Sequence, residues 1–379
     1  MLLIKNAKIY TMAGNTIEKG DILIEGGKIK DIGENIESSE AEKIDATGLN
    51  VLPGIVDAHS HIGVMNFATD KHVDDANEMT SPTTAHMDAR YGVDLSVKDF
   101  EYSYKNGITS VAITPGSGNV ICGLVFATKT YGDNIFDMTI KAPIALKVAL
   151  GGNPKRTYGN LNKLPMTRMG IPEVIRDLFH KAKEYLHKKE NGETPQYDGE
   201  LEALIPVMKK EIPLKIHCTQ YDMLTAIEIA KEFDMKFSLE HAWGATDYMD
   251  EIVESGCDIN FGPVGSMRST GECSKIDIES VVELDKRGVN VAVVTDAPIL
   301  SVDSIYNHAG EVVRNGCDID RVLKMITINP AKIMGVEDRI GSLEVGKDAD
   351  IAIFKGIPAY NTNAKVMYTI INGKVVYKY

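Results

Sequence analysis

The chain begins and ends on short stretches in which apolar and polar positions alternate. Between these ends, compact apolar runs take turns with longer amphipathic ones. LLIKNAKIY (2–10), DILIEGGKIKDIG (21–33) and EKIDATGLNVL (42–52) have the two-residue period of strands, punctuated by Gly-Gly and Ala-Thr-Gly turns. DADIAIFKG (348–356) and VMYTIINGKVVYKY (366–379) share that texture, with Asn372-Gly373 as a hairpin turn. The two ends predict one small β-sandwich assembled from residues 1–54 and 340–379.

The middle, 55–339, reads differently. Eight apolar runs have the length and β-branched content of buried strands: GIVDAHSH (54–61), ITSVAITPG (108–116), VICGLVFATK (120–129), PIALKVALG (143–151), LKIHCT (214–219), KFSLEHA (236–242), CDINFGP (257–263) and NVAVVTDAP (290–298). Helical periodicity fills most of the gaps, as in VIRDLFHKAKEYLHKK (174–189) and MLTAIEIAKEF (223–233). Eight strands with intervening helices predict a parallel (β/α)8 barrel. No glycine-rich phosphate loop follows a strand, which argues against an open nucleotide-binding sheet.

Composition narrows the function. A net charge of -13 excludes nucleic acid or an anionic membrane as the expected partner and leaves a small molecule. Five scattered cysteines without a CxxC pair predict neither a disulfide framework nor a cysteine zinc site, and fit a reducing cytoplasm. The N-terminal stretch lacks the order of a secretory signal, and no apolar run is long enough to span a bilayer.

In a barrel, residues at the C-terminal ends of strands face the active site. The first run ends in His59-Ser60-His61, whose i and i+2 side chains share a face. Taken alone, such a pair reads as two solvated histidines. However, the fifth run ends in His217, the sixth in His241 and the eighth in Asp296, and the chain has only nine histidines. Four imidazoles and a carboxylate at strand ends form the donor set that zinc, iron or manganese uses. Lys147, near the end of the fourth run, carries a charge that is costly inside a barrel unless neutralised or paired. The loop GGNPKRTYGN (151–160) carries Lys155 and Arg156, and Arg268 follows the seventh run. These are candidate contacts to a substrate anion, or simply solvated turns.

PGIVDAHSHIG (53–63), IHC (216–218), LEHA (239–242), VVTDAP (293–298) and TINPAKIMGVEDRIGSLEVGKDADIAIF (327–354) resemble the metal-dependent amidohydrolase superfamily, nearest its imidazolonepropionase-like and dipeptidase-like members. That resemblance implies one or two divalent ions, with zinc expected. His59, His61 and Asp296 would hold the first ion. His217 and His241 would hold a second or orient substrate, and a carbamylated Lys147 would bridge the two. It further implies hydrolysis of a C–N bond in an amide, dipeptide-like or cyclic amide. Asp296 would act as general base on a metal-activated water, and His241 is a candidate to stabilise the oxyanion. Members are often homo-oligomers. Where deaminase-type relatives carry a proton-shuttling glutamate in HxxE, this chain has Gln220. Glutamine exchanges no proton, which leaves a mononuclear deaminase as the alternative and a non-catalytic scaffold behind it.

Overall fold

A computed structural model describes residues 1–66, 74–265 and 271–379, apart from the side chains of 272 and 273. Two eight-stranded sheets organise it. The first is built from both ends of the chain: β1 (Leu2–Ile9), β2 (Ile17–Glu25), β3 (Lys28–Gly33), β4 (Glu42–Asp45) and β5 (Asn50–Pro53) are joined by three late strands. These are β14 (Ile351–Lys355), β15 (Lys365–Ile371) and β16 (Lys374–Lys378). The order is β16-β15-β14-β5-β1-β2-β3, with β4 also paired to β1. Asn372 and Gly373 both take positive φ between β15 and β16, as a two-residue hairpin turn requires.

The second sheet contains all eight predicted runs, in chain order. They are β6 (Ile55–Ser60), β7 (Ile108–Ile113), β8 (Ile121–Lys129), β9 (Thr139–Ala149), β10 (Leu214–Cys218), β11 (Phe237–His241), β12 (Asp258–Phe261) and β13 (Val291–Val293). β6, β7, β10, β11 and β13 are buried at every position, as expected of strands covered on both faces. The helix Gly170–Glu190 shows why the outer layer packs. Ile171, Val174, Ile175, Leu178, Phe179, Ala182 and Tyr185 recur at three- and four-residue spacing and are all buried. Beyond β13 the chain returns to β6, with Asp296 N donating to His59 O (3.1 Å) and His61 N to Ala297 O (2.6 Å). The sheet is thus barrel-like, in agreement with the predicted (β/α)8 plan.

One part of that plan is corrected. β8 runs antiparallel to both β7 and β9, so the sheet is mostly rather than wholly parallel. The cause is the connection. Only residues 114–120 separate β7 from β8, far fewer than a parallel crossover needs.

The two sheets are joined by buried charge. Lys129, at the end of β8, pairs with Asp348 at 2.9 Å and with Asp350, both of which precede β14. Lys28 and Arg339 add contacts to Asp348 at 2.5 and 2.8 Å. Burial opposes ionisation of Asp348, but Lys129, Lys28 and Arg339 outweigh it and hold the carboxyl below its ordinary value of 3.8. A depressed folded-state pKa contributes stability above the unfolded value and loses it as pH falls through the folded one. Urea midpoints are therefore expected to keep the full contribution of Asp348, with no pH dependence from it, above about pH 5 and to fall as the medium is acidified below 3.8. Asp348→Asn should flatten that acid limb. A limb of unchanged steepness in the variant would show that other groups control it.

Candidate metal centre

Five of the predicted site residues converge where β6, β10, β11 and β13 end. His59 and His61 leave β6 on one face, and their rings meet edge-on with centroids 5.3 Å apart. Asp296 Oδ1 lies 3.1 Å from His61 Nε2 and 3.5 Å from His59 Nε2. Ligand atoms of these three residues lie within 4.8 Å of one another, a grouping able to hold a metal ion. His241 stands next to them, with ring centroids 4.9 Å from His59 and 4.5 Å from His217. His241 and Asp296 both take positive φ (71° and 58°), a backbone state uncommon for residues other than glycine. His241 is the last residue of β11, and Asp296 lies in the turn three residues beyond the end of β13.

The second nitrogen of three rings is occupied. His59 Nδ1 faces the carboxylate of Glu240, His61 Nδ1 donates to Thr114 O (2.7 Å), and His241 Nδ1 donates to Gly262 O (2.7 Å). This fixes the tautomer with Nε2 as the lone-pair nitrogen, the arrangement that metal-binding imidazoles adopt. Burial depresses the basicity of His59, His217 and His241, so these rings are neutral near pH 7. Burial also works against the Asp296 carboxylate, but His61, His241 and His59 hold it ionised, well below the usual range. Asp296 Oδ1 and His217 Nδ1 are buried and have no hydrogen-bond partner. Neutral imidazoles, an ionised carboxylate and orphaned polar atoms together fit a divalent cation.

Lys147 is fully buried inside the barrel, with Nζ 3.3 Å from His59 Nε2. Burial lowers its pKa, against the pull of Glu240. Lys155 and Arg156 lie outside this cluster, on the helix Gly152–Asn160 that follows β9. Arg156 Nη2 donates to Asn153 Oδ1 (3.0 Å), and Asn153 Nδ2 lies 3.5 Å from His217 Nε2. Arg268 falls outside the described residues. Gln220 is turned away from the cluster, its amide donating to Gly271 O and Ser274 Oγ at 2.9 and 3.0 Å.

A supporting layer beneath the ligands was not anticipated from the sequence. Glu240, fully buried, accepts from Ser238 Oγ (2.5 Å) and Asn260 Nδ2 (2.9 Å), and Lys215 Nζ lies 3.0 Å from it. Burial disfavours its charge, but Lys215, the His59 hydrogen bond and Lys147 drive its pKa well below the usual range. Asp57, two residues before His59, accepts from His59 N (3.0 Å) and from the Thr295 hydroxyl, tying β6 to the strand that delivers Asp296. Burial pushes Asp57 up to about 7. Trp243 packs on the other side of His241, with ring centroids 5.3 Å apart.

The profile of the Amidohydrolase family matches residues 50–376, which include every residue of this cluster. The chain belongs to the amidohydrolase family. It is similar to an amidohydrolase from Thermotoga maritima MSB8 over the whole of both chains, at 37% identity and a TM-score of 0.95. Among curated relatives, it is 24% identical to the imidazolonepropionase of Picrophilus torridus, covering 98% of this chain and 97% of that protein. It is also 25% identical to Amidohydrolase tasK of Hapsidospora irregularis; there the match takes in 94% of this chain but only 41% of the longer relative. Membership makes this amidohydrolase a hydrolase of C–N bonds that uses divalent metal. Among its described residues, no helix is long and apolar enough to cross a membrane.

Proposed function

We propose that this amidohydrolase hydrolyses an amide-type C–N bond at a two-metal centre, with Asp296 as general base. The observation that carries the reading is the convergence of His59, His61 and Asp296, with the Nδ1 atoms of both histidines already engaged. His59, His61 and Asp296 would hold one zinc ion, and His217 and His241 a second. A divalent ion in this position supplies Lewis acidity and makes water a nucleophile near neutral pH. The protein groups do the rest. Asp296, ionised in the resting site, accepts a proton from the attacking water and returns it to the departing amine. His241, neutral and fixed by Gly262 O, stands beside the cluster to stabilise charge developing on the carbonyl oxygen.

In this reading Lys147, as a carbamate, would be the ligand shared by the two ions. The support is chemical. The neighbouring Lys215 sits in an ion pair with Glu240, whereas Lys147 has an imidazole nitrogen as its nearest polar contact and a pKa lowered by burial. An uncharged amine is the form that adds carbon dioxide. Gln220 counts against the deaminase alternative and against the reaction named by the imidazolonepropionase likeness, because its amide is neither an acid nor a base near neutral pH and is spent on Gly271 and Ser274. The terminal sheet is read as a β-sandwich of 1–54 and 340–379 beside a 55–339 barrel, on the support of its separate core around Ile4, Ile22, Ile44 and Ile353. Four buried free cysteines favour a cytoplasmic setting.

Elemental mass spectrometry on protein purified with bicarbonate tests the centre. Two metal equivalents are expected in the native protein and one or fewer in Lys147→Ala. One equivalent in both would remove Lys147 from the site, and none in either after reconstitution would end the metal reading.

A further inference from the structure

Among the buried polar atoms without a hydrogen-bond partner, three belong to the centre or to a side chain packed on it: Asp296 Oδ1, His217 Nδ1 and Trp243 Nε1. The first two suit a divalent cation. An indole N–H does not, because it is a donor only and offers a metal no lone pair. Trp243 is 6% exposed, and its ring centroid lies 5.3 Å from that of His241, with the planes tilted by 47°. A donor buried without a partner is costly, and the cost disappears when a ligand brings an acceptor.

The local backbone explains how the indole is held there. β11 ends at His241, and the chain then turns, with positive φ at His241, Ala242 and Gly244 (71°, 49° and 87°). Gln220 N donates to Trp243 O (2.7 Å) and Gly244 N to Asp277 Oδ1 (2.7 Å), which pins the backbone on both sides of the ring. A residue just past the C-terminal end of a barrel strand lies at the face where substrate enters. The indole is therefore fixed at the mouth, against the imidazole that stands beside the cluster, with its N–H unspent. On the reading of the centre given above, we propose that Trp243 is a substrate-binding residue whose Nε1–H donates to a neutral carbonyl oxygen next to the scissile amide. An uncharged, buried donor favours a neutral acceptor, because a carboxylate would give up its water without gaining a counter-charge. The preferred substrates are then amides with a second carbonyl close to the bond that breaks.

The test uses the zinc-loaded enzyme and matched pairs that differ only in the second carbonyl: N-acetylglycinamide beside N-isobutylacetamide, and N-benzoylglycinamide beside N-isobutylbenzamide. One readout is kcat/KM, or Kd by titration calorimetry for pairs that bind without turnover. Pairing a buried donor that otherwise stays unsatisfied predicts a preference of roughly 5–100-fold for the dicarbonyl member. The other readout is the indole N–H resonance, of which this chain has one. Saturation with the dicarbonyl member should move it downfield and slow its exchange, and saturation with the isobutyl member should not. Trp243→Phe keeps a ring against His241 and removes the donor, so the two members of each pair should converge with metal content unchanged. A tryptophan that only packs would lower the urea midpoint of that variant and leave the preference in place, and the resonance of the native protein decides the matter if the variant does not fold. Equal handling of both members overturns the role of Trp243 while leaving the hydrolase reading intact. So does an unmoved resonance, a preference that survives in Trp243→Phe, or an absence of any turnover or binding across the pairs in metal-replete protein. Absence of metal as well as turnover overturns the hydrolase reading itself.

Discussion

Asp296→Asn is expected to fold normally and to lose about 10²–10⁴-fold in kcat/KM, the range assigned to a positioned general base. Asparagine is the informative replacement. Asp296 has φ near 58°, and asparagine tolerates that left-handed region better than most side chains, so the backbone need not move. It also keeps the oxygen that faces His59 and His61 while removing the site that takes up a proton. Circular dichroism and metal analysis run alongside separate the two ways of losing activity. A variant that keeps its metal and loses turnover has lost the base, and one that loses both has lost a ligand. Turnover near the native rate would take proton transfer away from Asp296.

Glu240→Gln is expected to have the largest effect on stability, although Glu240 is not among the proposed ligands. The substitution leaves Lys215, 2% exposed, without its counter-charge. Removing one partner of a buried ion pair costs about 3–5 kcal/mol, because the remaining charge is stranded. It also replaces the carboxylate that holds His59 Nδ1 with an amide, and loss of such a supporting contact typically weakens metal affinity by about 10–100-fold. Glu240→Gln combined with Lys215→Met separates the two effects. The double variant should recover most of the lost urea midpoint but not the metal affinity. Recovery of both would mean that Glu240 serves only to neutralise Lys215.

How much of this was legible in the chain depends on where each residue sits in its strand. The five ligand candidates stood out because histidine and aspartate at the ends of apolar runs have no packing explanation, and the structure gathers all five. Glu240, Lys215, Ser238 and Asn260 did not stand out. Ser238 and Glu240 lie two apart on β11, Lys215 is two before His217 on β10, and Asn260 is opposite Glu240 on β12. In sequence, that spacing looks like the polar side of a half-exposed strand, and only closure of the sheet turns it inward. The reversal of β8 was hidden for a related reason. Its residues form a strand in either direction, and the length of the loop before it, not its own pattern, decides which. Asn153 was not legible as a neighbour of His217, because that placement depends on how the helix after β9 is set.

Trp243 gives the cluster an optical reporter. It is the only tryptophan in the chain, 6% exposed, with its ring beside that of His241. Indole emission responds to a neighbouring imidazole, quenching when the ring is protonated and changing when its lone pair is engaged. Excitation at the red edge, where the fifteen tyrosines do not absorb, therefore reads the state of one side chain at the centre. Chelation, reloading and ligand entry can then be followed in real time in the unlabelled protein.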